Sequence, residues 1–224
     1  MKRFLKHNGL TLFFLAALVL ALIGQALTGL EVYNDRQVVQ GGPRVGLLDY
    51  LTSSEFAVDV TENWQSEYLQ FFLYIFVTVW LVQRGSPESK KPGEEGTESD
   101  REQHTGRHAR ASSPEAVRSG GLRELVFSRS LGLVMATIFV LSWLIQSLTG
   151  WVAHNAERLG DHQDTLSWFG YLASAEFWNR TLQNWQSEFL AVASMAAFSI
   201  YLRQRGSPES KPVGSSHDAT GVEG

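Results

Sequence analysis

The chain of 224 residues carries 19 lysines and arginines against 23 aspartates and glutamates, a net charge of −4, and has no cysteine. Without cysteine there is no disulfide, thiolate metal site or cysteine nucleophile, and scattered basic residues exclude a nucleic-acid-binding patch. A mean hydropathy of −0.11 reads as soluble only because it averages over a strongly segregated sequence.

Basic Lys2, Arg3 and Lys6 precede a run from Leu10 to Leu30 without a charged residue. That run matches the roughly 20 residues needed to cross a hydrocarbon core of about 30 Å. The same start suits a secretory signal, with a small-residue pattern at Gly24-Gln25-Ala26. An internal counterpart at Leu131 to Gly150 argues instead for an uncleaved first span.

An acidic loop follows, with Glu31, Asp35, Asp49, Glu55, Asp59 and Glu62 against Arg36 and Arg44. From Ser53 to Arg84 there is neither glycine nor proline. Ser53 is the predicted N-cap, with Glu55 favouring the positive end of the helix dipole. Gly85 and Pro87 are the predicted stop. One helix over that stretch measures about 46 Å at 1.5 Å per residue. It would begin outside the membrane and enter it as the uncharged segment Tyr68 to Val82. Spanning length then requires Trp64 in the outer interface, where Trp commonly sits. A break just before Trp64, with Asn63 as cap, is the competing expectation.

Residues 93–121 hold almost no large apolar side chains and are expected to be a disordered linker. His104 and His108 stand four apart there and could ligate a metal only on a helix. Leu122 to Ser128 reads as a short interfacial helix, and Leu131 to Ala153 as an uncharged third span. A second acidic loop carries Glu157, Asp161, Asp164 and Glu176 against Arg158 and Arg180. His154, Asp161, His162 and Asp164 cluster in it, but the first loop has no histidine. A duplicated metal site is therefore excluded, and solvated loop is the better reading. The stretch from Ser174 to Arg205 again lacks glycine and proline, includes the uncharged Phe189 to Leu202, and stops at Gly206 and Pro208. Residues 213–224 are expected to be a disordered tail.

These parallels are one register. Asn63-Trp64-Gln65-Ser66-Glu67 recurs as Asn184-Trp185-Gln186-Ser187-Glu188, 121 positions on. At that offset Gln25, Thr28 and Gly29 fall on Gln146, Thr149 and Gly150, and Tyr50, Ser53, Glu55 and Phe56 on Tyr171, Ser174, Glu176 and Phe177. Gln83 to Lys90 and Gln204 to Lys211 both read QRGSPESK. No gap is needed from Leu10 to Lys90, so the unit of the fold is a two-helix repeat. Its boundaries are residues 1–92 and 122–212. The fold class is an all-α integral membrane protein. It has four transmembrane helices in two parallel repeats, the second helix of each projecting outside the membrane. Lys6, Arg84, Lys90, Lys91, Arg123, Arg129, Arg203, Arg205 and Lys211 flank one set of ends. Both termini and the linker are thus placed in the cytoplasm.

The candidate polar site comprises Gln25, Glu55, Asn63, Ser66 and Glu67 with Gln146, Glu176, Asn184, Ser187 and Glu188. At 100° per residue from Glu55, Ser66 lies at 20°, Asn63 at 80° and Glu67 at 120°, whereas Gln65 points elsewhere at 280°. Two readings compete. Structurally, these groups tie helices together at the outer rim, with Gln25 and Gln146 bonding a copy of the motif. Functionally, Glu67 and Glu188 form a paired site for a cation, proton or polar solute. The octamer reads as basic anchor, Gly cap and Pro stop, or as a cytoplasmic docking element. Phosphate-binding glycine loops, nucleophile elbows and zinc-protease helices do not occur.

The phrase Asn-Trp-Gln-Ser-Glu-aromatic-Leu, with Ser-x-Glu-Phe upstream and Arg-Gly-Ser-Pro-Glu-Ser-Lys downstream, resembles a bacterial family of small multi-pass membrane proteins of uncharacterised function. The resemblance covers Leu10 to Pro212 apart from the linker. It implies an inner-membrane location and brings no activity, ligand, metal or cofactor. The expected role is a structural or interaction component, not an enzyme, whose partners are the bilayer and a membrane protein or second copy. The alternative is a small transporter or channel-like protein using Glu67 and Glu188.

Overall fold

The computed structural model describes residues 2–222, and among these the chain is helical without strands. In order come α1 (Lys2–His7), α2 (Gly9–Val39), α3 (Leu47–Leu51) and α4 (Ser54–Val77). Turns with a single 3₁₀ segment (Gly106–His108) lead to α5 (Glu115–Arg118), α6 (Gly121–Phe127), α7 (Ser130–Gly160), α8 (Trp168–Leu172) and α9 (Ala175–Tyr201).

Two helices, α2 and α7, are long and apolar enough to cross a membrane. They bury only 6% and 17% of their most apolar stretches, unlike the covered core helix of a soluble protein. Phe13, Phe14, Leu20, Leu131, Val140 and Leu141 all stand exposed, a surface that suits lipid and not water. Both helices outrun the apolar segments that predicted them; in α2 no glycine or proline lies between Gly29 and the Gly41-Gly42-Pro43 stop. There the Gly42 N–H donates to the Gln37 carbonyl at 2.7 Å, with Gly41 at φ +76°. After α7 the Gln163 N–H donates to Arg158 at 2.7 Å, and His162 takes the left-handed position at φ +59°.

The contacts divide into two compact units, one of the residues up to Thr61 with Leu144–Phe177, the other of Glu62–Trp143 with the residues from Trp178. In the first unit, identical fastenings close both hairpins. The buried Asn34 amide donates to the Val45 carbonyl (3.1 Å) and accepts from the Val45 N–H (2.7 Å). Asn155 does the same with Leu166, at 2.9 and 2.8 Å. Tyr50 and Tyr171 are buried, and their hydroxyls lie over Gly29 and Gly150, where only hydrogen fits. Each ring meets the phenylalanine that follows, Phe56 at 5.4 Å and Phe177 at 5.6 Å between centroids. His154 packs against Tyr171 at 5.5 Å, as Tyr33 packs against Tyr50. That contact is a physical account of His154 that needs no metal.

Ser53 and Ser174 cap as expected, accepting from the N–H of Phe56 (3.2 Å) and Phe177 (3.3 Å). Both following helices run unbroken through Trp64 and Trp185, so the competing break does not occur. Their far ends do need correcting. The expected stops were Gly85 with Pro87 and Gly206 with Pro208, but α4 ends at Val77 and α9 at Tyr201. Beyond Val77 the Thr78 hydroxyl bonds back to the Tyr74 carbonyl (2.6 Å), and Val79 and Trp80 tighten to three-residue bonds. After α9 the Arg203 guanidinium takes the Ile200 and Leu202 carbonyls at 3.1 and 2.8 Å. Side-chain donors and tightened turns satisfy these carbonyls before the glycines are reached.

Tyr50 supplies a pH prediction. Burial, then the Asp59 and Glu55 carboxylates, hold its hydroxyl above the usual phenol value of 10.0. The unfolded chain therefore loses this proton first, so the stabilisation is complete below pH 10 and declines above it. Alkaline unfolding followed by near-ultraviolet dichroism should be steeper for the wild type than for Tyr50→Phe. Identical profiles would refute the assignment.

Candidate functional site

The residues singled out from the sequence fall in both units. Gln25, Gln146, Glu55 and Glu176 belong to the first, and Asn63, Ser66, Glu67, Asn184, Ser187 and Glu188 to the second. Gln146 is buried, its amide without a protein hydrogen-bond partner among the described residues, whereas Gln25 is half-buried. Glu55 is half-buried and Glu176 exposed.

In the second unit the repeated pentapeptide does two different jobs. On α4 the buried members are Gln65 and Ser66, at 0% and 2% exposure, while Asn63 and Glu67 face outward. On α9 Gln186 and Ser187 are exposed, and Asn184, Trp185 and Glu188 half-buried. The Trp185 indole N–H donates to the Gln65 side-chain oxygen at 2.8 Å. One turn away, the Arg180 guanidinium meets the Glu62 carboxylate at 2.8 Å, largely shielded from solvent. Around Trp185 lie Trp143 at 5.9 Å and Phe189 at 6.4 Å, and Trp178 stands 6.1 Å from Trp143. Two interhelical polar contacts and an aromatic cluster thus fasten α4, α7 and α9.

The other motif hydroxyls serve their own helices. Ser66 and Ser187 each donate to the carbonyl three residues back, at 2.9 Å, and Asn184 donates to Arg180 at 2.9 Å. The groups that bear most on the Glu188 carboxylate are those of Glu67 and Ser66.

The octamers fold as matching turns. The Gln83 N–H donates to the Ser89 hydroxyl at 2.8 Å and the Gln204 N–H to Ser210 at 2.9 Å, around Gly85 at φ +89° and Gly206 at φ +82°. This geometry accounts for the repeated Gln, Gly and Ser. Glu88 accepts a hydrogen bond from the Tyr74 hydroxyl beside a groove of about 300 Å³ that Phe71, Ala191, Val192 and Met195 line. Met195 is the counterpart of Tyr74, so that contact is not duplicated.

The sequence profile of a domain of unknown function, DUF6766, matches residues 1–222. The chain belongs to the DUF6766 family. No curated protein and no solved structure matches it. For this DUF6766 member the site chemistry therefore rests on its own geometry, which is one of fastening.

Sequence reasoning passed over Gln65, Trp185, Glu62 and Arg180 as a set. The signal available was a tryptophan, whose N–H seeks an acceptor when covered, at the depth of an amide on the neighbouring helix. Gln65→Leu and Trp185→Phe should each cost about 1–3 kcal/mol by stranding the other partner. The double variant should recover part of that loss, with a coupling of about 0.6–2 kcal/mol. Strictly additive thermal-unfolding losses would rule the pair out.

Proposed function

We propose that this protein is a structural or interaction component of the bacterial inner membrane, without enzymatic activity. In this reading α2, α4, α7 and α9 make four passes in two parallel repeats, with termini and linker cytoplasmic and both acidic loops outside. One observation carries it: four matched pairs of residues are engaged in internal fastening in both halves. Asn34 and Asn155, Tyr50 and Tyr171, Ser53 and Ser174, and Ser89 and Ser210 close hairpins, cap helices or form turns. The broad exposed apolar faces of α2 and α7 offer themselves to lipid, to a membrane-protein partner or to a second copy.

A second reading, a small transporter or channel for a cation or polar solute, is favoured by the influence of the Glu67 charge on the Glu188 carboxylate. The cysteine-free chain makes both arms direct to test. A single cysteine replacing Asp161 should react with an impermeant maleimide in intact cells, and one replacing Ser112 only after permeabilisation. The reverse pattern would overturn the topology. In reconstituted vesicles, Glu67→Gln and Glu188→Gln should leave ion permeability at the protein-free level of the wild type. A wild-type flux abolished by either variant would replace the structural reading with the transport one.

A further inference from the structure

The Lys211 ammonium is buried, at 1% exposure, and its hydrogen-bond partners among the described residues are backbone carbonyls. Four backbone carbonyls surround it: Gly85 at 2.6 Å, His217 at 2.9 Å, Ala219 at 3.2 Å and Ser216 at 3.3 Å. The first belongs to the turn after α4 and the other three to the tail. The same tail segment holds both helix ends by further bonds. Thr220 accepts from the Gly85 N–H at 2.8 Å, and the Gly221 N–H donates to the Ser86 carbonyl at 3.0 Å. Arg84 approaches Asp218 at 3.4 Å. On the α9 side, the Arg203 guanidinium donates to the Ser215 carbonyl at 3.1 Å, and the His217 ring packs at a tilt against Tyr201, 5.4 Å between centroids.

Lys90, the counterpart of Lys211, is engaged differently, on the Gly96 carbonyl and the Glu98 carboxylate, both at 2.5 Å. One repeated lysine therefore closes its own turn, and the other reaches into the turn of the opposite repeat. We propose that residues 215–221 are a latch across the two octamer turns, with Lys211 as the pin that joins the end of α4 to the end of α9. A buried ammonium needs every hydrogen accepted, and here three of the four acceptors are in place only while the tail is seated. With the latch closed, the Gly85 and Ser86 backbone is covered; with it open, that turn and the lysine become available to a cytoplasmic partner.

The test is amine acetylation of the full-length protein in membranes, read by mass spectrometry. Lys91, exposed in the same turn region, is the internal reference. Lys211 should acetylate at least about tenfold more slowly, because reaction requires local opening. Equal rates in the full chain would overturn the latch. Ending the chain at Val213 should bring Lys211 to the Lys91 rate. Thr220→Val, a milder change in the complete chain, should accelerate Lys211 alone. Protection that persists in both variants would show that something other than the tail covers this lysine, and would equally overturn the proposal.

Discussion

Gly29→Ala and Gly150→Ala should each destabilise the protein, whereas Gly24→Ala and Gly132→Ala should be neutral or stabilising. A methyl at Gly29 would overlap the Tyr50 hydroxyl, and one at Gly150 would lie 2.5 Å from the Tyr171 oxygen and 3.2 Å from Val58. Nothing lies within 4 Å of the corresponding point at Gly24 or Gly132. Alanine in a helix interior gains up to about 1 kcal/mol over glycine, while forcing an extra carbon into a packed contact costs about 1–3 kcal/mol. The overlap therefore wins at the two tyrosine contacts and nowhere else on these helices. Tyr50 cannot simply swing aside, being held between the Tyr33 and Phe56 rings. Tyr50→Phe, by deleting the oxygen, should recover part of the Gly29→Ala loss. Thermal unfolding in detergent checks all of this, and equal midpoints for the four glycine variants would show that the contacts do not matter.

The same contacts show what the sequence could and could not say. The uncharged runs identified α2 and α7, since lipid exposure is a property of composition. Ser53 and Ser174 were legible because capping is local, involving groups three residues apart. Asn34 and Asn155 were not: their acceptor and donor lie eleven residues on, across a turn whose closure only tertiary structure defines. The end of α4 was misplaced because glycine and proline mark where a helix must stop, and say nothing of a hydroxyl that lets it stop sooner. Gln65 was placed away from the matched face by its angle on α4 alone. Its burial depends on Trp185, and the face that one helix hides is decided by what its neighbour presents. The repeat thus revealed its register more readily than its asymmetries, which are Gln65 with Trp185, Tyr74 with Glu88, and Lys211 with the tail.

The second large effect is expected at the hairpin asparagines. Asn34→Leu and Asn155→Leu each remove one side chain that serves two backbone groups at once, an N–H and a carbonyl of the same residue. Leucine is close to asparagine in size, so the loss is one of hydrogen bonds more than of packing. Stranding a covered donor or acceptor costs about 1–3 kcal/mol per group, and Asn34→Leu strands two such groups where Asn155→Leu strands one. The Asn34 site should suffer more, because Asn34 is itself buried, whereas Asn155 is half-buried and shares Leu166 with the Trp151 indole. That indole N–H donates to the same carbonyl at 2.7 Å, so after Asn155→Leu only the Leu166 N–H is left without its partner. Trp151→Phe combined with Asn155→Leu should then cost more than the sum of the two single changes, since each single variant leaves the other donor on the carbonyl. Asn34→Asp is the informative control: an ionised carboxylate still accepts from the Val45 N–H but cannot donate to its carbonyl, and should fall between wild type and Asn34→Leu. A ranking with Asn155→Leu below Asn34→Leu, or Asn34→Asp equal to wild type, would show that these bonds do not hold the hairpins closed.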